Sequence, residues 1–123
     1  MKNQPFLKRL SFSLQGIRSA WKQEASFRFH CLMALGVVGL LVAVRPAAIW
    51  WALLLMNCGL VIAAELFNTA LEQALDHLHP ELHPAIKVSK DCAAGAVLIF
   101  SLSAVGTFLA FLWSSFVRTS WPR

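Results

Sequence analysis

With 123 residues, 58% of them hydrophobic and 14% charged, the chain is one small domain carrying more apolar surface than a water-soluble fold of this size can hide. A mean hydropathy of +0.61 points instead to an integral membrane protein. The net charge of +5 is unevenly placed: six of eleven basic residues (Lys2, Lys8, Arg9, Arg18, Lys22 and Arg28) precede the first long apolar run, the pattern of positive-inside topology rather than of a nucleic-acid surface.

Residues 6–28 come first in the chain. Phe6, Leu7, Leu10, Leu14, Ile17 and Trp21 share one side of a helix, while Lys8, Gln15, Arg18 and Lys22 point elsewhere. The spacing predicts an amphipathic helix lying on the membrane surface, its basic face towards anionic headgroups. Pro5 suits a helix start. Glu24 and Arg28 fall back on the apolar side, where a charge needs a partner. Two readings stand: a local i, i+4 salt bridge, or a Glu24 turned towards a site. No cleavable signal peptide is expected, because residues 1–30 are polar and basic and no small-x-small pattern follows the first apolar run.

Three uncharged runs follow: Phe29–Val44 with 16 residues, Pro46–Ala64 with 19, and Cys92–Val117 with 26. Crossing the hydrocarbon takes about 20 residues, so each run spans once, the break falling at Arg45-Pro46. The expectation is an all-α membrane domain over residues 1–123, with a surface helix at about 6–28 and spans at about 29–45, 47–76 and 91–117. Trp50, Trp51, Trp113 and Trp121 would form an outer aromatic belt. An N-terminus inside places eight basic residues on the cytoplasmic side and three outside, which predicts a multi-pass inner (cytoplasmic) membrane protein with a cytoplasmic N-terminus. Cys31, Cys58 and Cys92 sit in or beside apolar runs without paired spacing and read as small buried hydrophobes.

Five of the six carboxylates lie between Glu65 and Asp91. Around a helix, Glu65, Asn68, Glu72 and Asp76 fall within an arc of about 80°, with Leu66, Phe67, Ala70, Leu71, Ala74 and Leu75 covering the rest. Carboxylates at the membrane boundary are costly and mark function by default. Glu65 stands where the second span meets the inner headgroups, and partial desolvation there would make it a better proton acceptor. The competing structural reading pairs these acids with basic residues of the surface helix.

Two carboxylates from different segments, such as Glu24 and Glu72, suit Mg²⁺ when phosphate and water complete the octahedron. Lys90 beside Asp91 supplies charge for a polyphosphate. Acids, Asn and Lys together resemble phosphoryl-transfer machinery, although no glycine-rich nucleotide loop is present. The loop His77-Leu-His-Pro-Glu-Leu-His-Pro84 has zinc-like histidine spacing, but its two X-Pro steps read better as an ordinary turn. A non-enzymatic ion or proton pathway component is a further reading of boundary carboxylates; it leaves Lys90-Asp91 unexplained.

Glu65-x-x-Asn68-Thr69-Ala70-x-Glu72-x-x-x-Asp76, then Glu81-Leu82-His83 and Lys90-Asp91-x-Ala-x-Gly-Ala-Val-Leu, resembles the signature of the small prokaryotic diacylglycerol kinase family. Ala20-Trp21-x-x-Glu24-Ala-x-Phe27-Arg28 resembles its N-terminal block. The resemblance implies a three-span inner-membrane homotrimer, with active sites shared between subunits, that uses MgATP to phosphorylate a lipid hydroxyl. By the same resemblance Glu65 is the general base, and Glu24 and Glu72 bind Mg²⁺. Phe12, Glu24, Glu72, Glu81, His83, Lys90 and Asp91 line the nucleotide, Asn68 and Asp76 support the site, and Arg18, Trp21, Ser26 and Trp113 border the lipid. Lys8 and Arg9 are alternatives for one further nucleotide contact. Leu82 stands where the family often has Tyr, and the His83-Pro84 and Lys90-Asp91-Cys-Ala-Ala-Gly segments resemble the undecaprenol kinase branch as much as the diacylglycerol kinase branch. The acceptor is therefore open between the two lipids.

Overall fold

The computed structural model describes residues 3–117, and within them the protein is all-α. Helix α1 covers Phe6–Gln23, α2 Ala25–Val44, α3 Ala48–Leu78 and α4 Pro84–Leu112, the last running into a π-helical turn at Trp113–Val117. Three of these elements are long and apolar enough to cross a membrane: Ala25–Val44, Ala48–Leu78 and Pro84–Val117. Lys2, Arg118, Trp121 and Arg123 lie outside the described residues, so the belt and charge count are traced here only in part.

The surface helix ends earlier than its periodicity predicts. It stops at Gln23, Glu24 adopts an extended conformation (φ −116°, ψ 110°), and Ala25–Arg28 belong to α2. The reason is tertiary. Arg28 folds back so that its Nη1 donates to the carbonyls of Trp21 (2.6 Å) and Lys22 (3.2 Å), filling acceptors that a terminating helix leaves open and placing a cation at its negative end. Arg28 thus does not pair with Glu24; among the described residues that ion pair is absent. The remaining apolar stripe of α1 is unpartnered, with Phe6 and Leu7 about three-quarters exposed, as befits a face that meets lipid.

The α2–α3 turn is built at Arg45, whose φ of 52° places it in the left-handed region. Its amide closes α2 on the Leu41 carbonyl at 2.8 Å, and Pro46 then prevents the helix from continuing. Beyond the turn, Leu41, Leu54 and Phe111 pack together as the bundle's outer core. Trp50 lies half-buried against this cluster, 5.8 Å from the Phe111 ring, so it plugs the end of the bundle as well as marking the boundary.

Helix α3 is the central element, packing along α4 and against α2, while α1 touches both α2 and α3. Its polar residue in mid-span is satisfied internally. Asn57 donates to the Leu53 carbonyl (2.8 Å) and to Thr107 Oγ1 (3.3 Å), and accepts from Ser103 Oγ (3.1 Å). In hydrocarbon such groups must find partners, and here they join α3 to α4. At 1.5 Å per residue, the 31 residues of α3 extend about 46 Å. A core of about 30 Å leaves roughly the last ten residues projecting beyond it.

Helix α4 begins well before its apolar run. His83 is its N-cap, accepting from the Ala85 amide through Nδ1 at 3.1 Å, and Pro84 fills the first turn. Residues 84–90 are therefore continuous with the third span.

Candidate active site

Glu65 lies 17 residues into α3, about 26 Å from its start at 1.5 Å per residue, near one edge of a hydrocarbon layer about 30 Å thick. Only 3% of the residue is exposed where α2 crosses α3. Two groups from α2 meet it. Ser26 Oγ donates to Oε1 at 2.6 Å, and His30 Nδ1 stands 2.7 Å from the same oxygen. The imidazole direction falls outside hydrogen-bond geometry, so this second contact is a close approach rather than an aligned bond. The far ring nitrogen, Nε2, is 3.5 Å from Ser101 Oγ on α4. One buried carboxylate thus sits at the meeting of all three spans.

Burial falls along the acidic stripe. Glu72 is half-buried and Asp76 exposed, as a helix leaving the membrane requires. Asn68, one turn beyond Glu65, keeps a buried Oδ1 with no donor. Towards the α3–α4 turn, Lys90 on α4 forms an ion pair with Asp76 on α3. One turn earlier, Lys87 pairs with Asp91 at 2.6 Å. Lys90 and Asp91 are hence already ordered by protein partners where a polyphosphate would approach.

The two carboxylates suited to a cation flank the contact between α1 and α3. Gln73 donates to Gln23, and Glu72 and Glu24 are their immediate chain neighbours. Among the described residues no group of three or more His, Cys, Asp or Glu side chains gathers in one protomer. A hard cation that takes one or two carboxylates and completes its shell from phosphates and water would draw on single carboxylates of separate segments. The donor-less Asn68 Oδ1, at i, i+4 from Glu72, is an oxygen of the same kind. Glu24 and Glu72 are the residues that would hold it.

The other predicted positions separate into groups. Phe12 is half-buried on α1, while Arg18 and Trp21 are exposed there. Glu81 and His83 lie in the α3–α4 turn, which is tied by the His83 cap and by His79 Nδ1 at 3.1 Å from the Glu81 carbonyl. Trp113 lies beyond Phe111, at the opposite end of the bundle from Ser26, Arg18 and Trp21, so one protomer does not bring these four together. Ser26 touches the buried acid directly. His30 and Ser101 are the residues sequence reasoning missed. The available signal was an ionisable side chain next to the start of an apolar run, which in lipid calls for a named partner.

An apolar cleft of about 450 Å³ opens beside His30 between α2, α3 and α4, walled by Phe29, Met33, Val37, Val61, Val105 and Phe108 among others. Apart from the Cys58 thiol, His30 and Ser101 are its polar side chains.

Comparison with known proteins identifies relatives along most of the chain. The sequence profile described as prokaryotic diacylglycerol kinase matches residues 11–112. The chain is 34% identical to the diacylglycerol kinase of Helicobacter pylori strain J99, over 91% of this chain and 84% of that one. It is also 34% identical to the diacylglycerol kinase of Escherichia coli K12, over 89% and 90% respectively. An undecaprenol kinase from Bacillus subtilis strain 168 is 33% identical over 87% of this chain and 88% of its own length. With a family match across four-fifths of its length and a buried acid where three apolar helices meet, the chain belongs to the prokaryotic diacylglycerol kinase family.

Proposed function

We propose that this protein transfers the γ-phosphoryl group of MgATP to the hydroxyl of diacylglycerol, giving phosphatidic acid, at the cytoplasmic face of a bacterial inner membrane. The observation that carries the reading is Glu65, buried at the inner boundary with both protein contacts on Oε1. Among the described residues no donor reaches Oε2, which is left to accept a proton.

Glu65 Oε2 takes the acceptor's hydroxyl proton as that oxygen attacks the γ-phosphorus, and the bond to the bridging oxygen of ADP breaks in line. Ser26 fixes the carboxylate through Oε1. Lys90 leaves Asp76 to offset charge on the phosphates, with Asp91, Glu81, His83 and Phe12 bordering the nucleotide and Asn68 and Asp76 supporting the site. Glu24 and Glu72 would hold Mg²⁺, which would supply neutralisation of phosphate charge. Arg18, Trp21 and Ser26 border the polar end of the acceptor; Trp113, at the far end of the span, would meet only its hydrocarbon tail.

An oligomer with shared sites is supported by the incomplete enclosure of the acidic stripe in a single chain, and the number three is what the family resemblance implies. A cytoplasmic N-terminus is supported by the eight-to-three division of basic residues. The Bacillus relative favours a second reading, undecaprenol as acceptor on the same scaffold. Purified protein in mixed micelles with γ-labelled MgATP, given each lipid separately, tests both. Label in diacylglycerol supports the first reading and label confined to undecaprenol replaces it with the second. No ATP-dependent label in either lipid refutes the kinase.

A further inference from the structure

Ser26 and His30 are four residues apart on α2 and therefore lie on one face. Both reach across to a single oxygen of Glu65, Ser26 at 2.6 Å and His30 at 2.7 Å. Such a clamp has a chemical consequence. A carboxylate with donors on both oxygens is a poor base, whereas one held through Oε1 keeps the Oε2 lone pairs available. A partial rotation about the last side-chain torsion of Glu65 would break both contacts at once, whereas a half-turn only exchanges equivalent oxygens and restores them. The imidazole is braced in turn: Nε2 faces Ser101 at 3.5 Å and the Phe29 ring meets it edge-on at 5.5 Å. Its terminal torsion is soft, so a modest ring rotation brings the Nδ1–H into line with Oε1.

We infer that His30 is a positioning residue for Glu65, completing with Ser26 a two-point hold that presents Oε2 to the acceptor hydroxyl. This inference rests on Glu65 being the base. His30 itself touches neither the nucleotide nor the transferred group, so its effect falls on turnover rather than on ATP affinity. The role also specifies which ring nitrogen matters. Asn at position 30 places an amide nitrogen where Nδ1 stands, within reach of Glu65; Gln places it where Nε2 stands, within reach of Ser101.

Lipid phosphorylation by the full-length protein in mixed micelles is measured for the wild type, His30→Ala, His30→Asn and His30→Gln, with helicity followed by circular dichroism. His30→Ala is expected to lose about 10- to 100-fold in kcat, the scale of a misplaced catalytic group, with KM for ATP within twofold of wild type. His30→Asn recovers most of that loss and His30→Gln does not. Gln rescuing as well as Asn, wild-type kcat in all three variants, or an effect confined to KM for ATP overturns the positioning role. Should His30→Ala lose its helical signal, the Asn-to-Gln comparison alone decides. An inactive wild type removes the kinase reading and this inference together, whereas an active wild type with indifferent variants removes only the latter.

Discussion

Replacing Glu65 by Gln removes one proton-accepting oxygen and little else. The side chain is 3% exposed, and Gln has nearly the same shape. Its amide oxygen can still accept from Ser26 in the Oε1 position, while the NH₂ group occupies the place of Oε2. What is lost from the fold is the charge assistance on one hydrogen bond, about 1 kcal/mol. What is lost from turnover is general-base catalysis, about 10²- to 10⁴-fold, equivalent to about 2.7–5.4 kcal/mol on the barrier at 1.36 kcal/mol per decade. The two effects are separable because the larger one has no structural counterpart. Initial rates of ATP-dependent lipid phosphorylation, with circular dichroism on the same samples, are the assay. Glu65→Asp sharpens the comparison: it keeps the charge but withdraws it by about one C–C bond, roughly 1.5 Å, and a displacement of about 1 Å can cost 10²-fold. A Gln variant with kcat within threefold of wild type would refute the base assignment, as would a loss of rate that merely tracks loss of helix.

Lys90→Met is expected to lower kcat/KM for ATP about 10²- to 10³-fold, the scale of removing one charge-stabilising donor; wild-type values in steady-state titrations of ATP would take Lys90 out of the nucleotide set. Asn57→Ala leaves Ser103 and Thr107 without their shared partner and should cost about 0.6–2 kcal/mol, read as an earlier midpoint in detergent-induced unfolding with kcat little changed. Arg28→Ala uncaps α1 and should destabilise its attachment by about 1–3 kcal/mol, seen as faster hydrogen exchange over residues 19–24 while α3 and α4 keep their protection.

The spans and the acidic stripe are legible because they depend on quantities local to the chain: uncharged run length against bilayer thickness, and 100° per residue around one helix. Glu65 stands out for the same reason, as a charge beside hydrocarbon. The end of α1 is not local. It is set by Arg28 reaching back over a break, and the wheel that flags Glu24 and Arg28 as misplaced cannot distinguish a salt bridge from a cap. His30 is hidden in a similar way. A lone polar ring in an apolar run, it gains meaning only from the crossing of α2 over α3, which brings it and Ser26 to one carboxylate oxygen. The Lys90–Asp76 ion pair likewise requires the α3–α4 turn to be folded before the two residues can meet.

Helix α3 is unbroken from Ala48 to Leu78. Glu65, the proposed base, and Glu72, one of the two carboxylates suited to a cation, therefore ride on one stiff rod, with no hinge between them to absorb a change in immersion depth. A bilayer that thickens by a few ångströms must either tilt the rod or draw Glu65 below the plane of the acceptor headgroups. Acyl-chain length thereby acts on turnover as a mechanical setting, independent of how well the lipid's own headgroup is recognised.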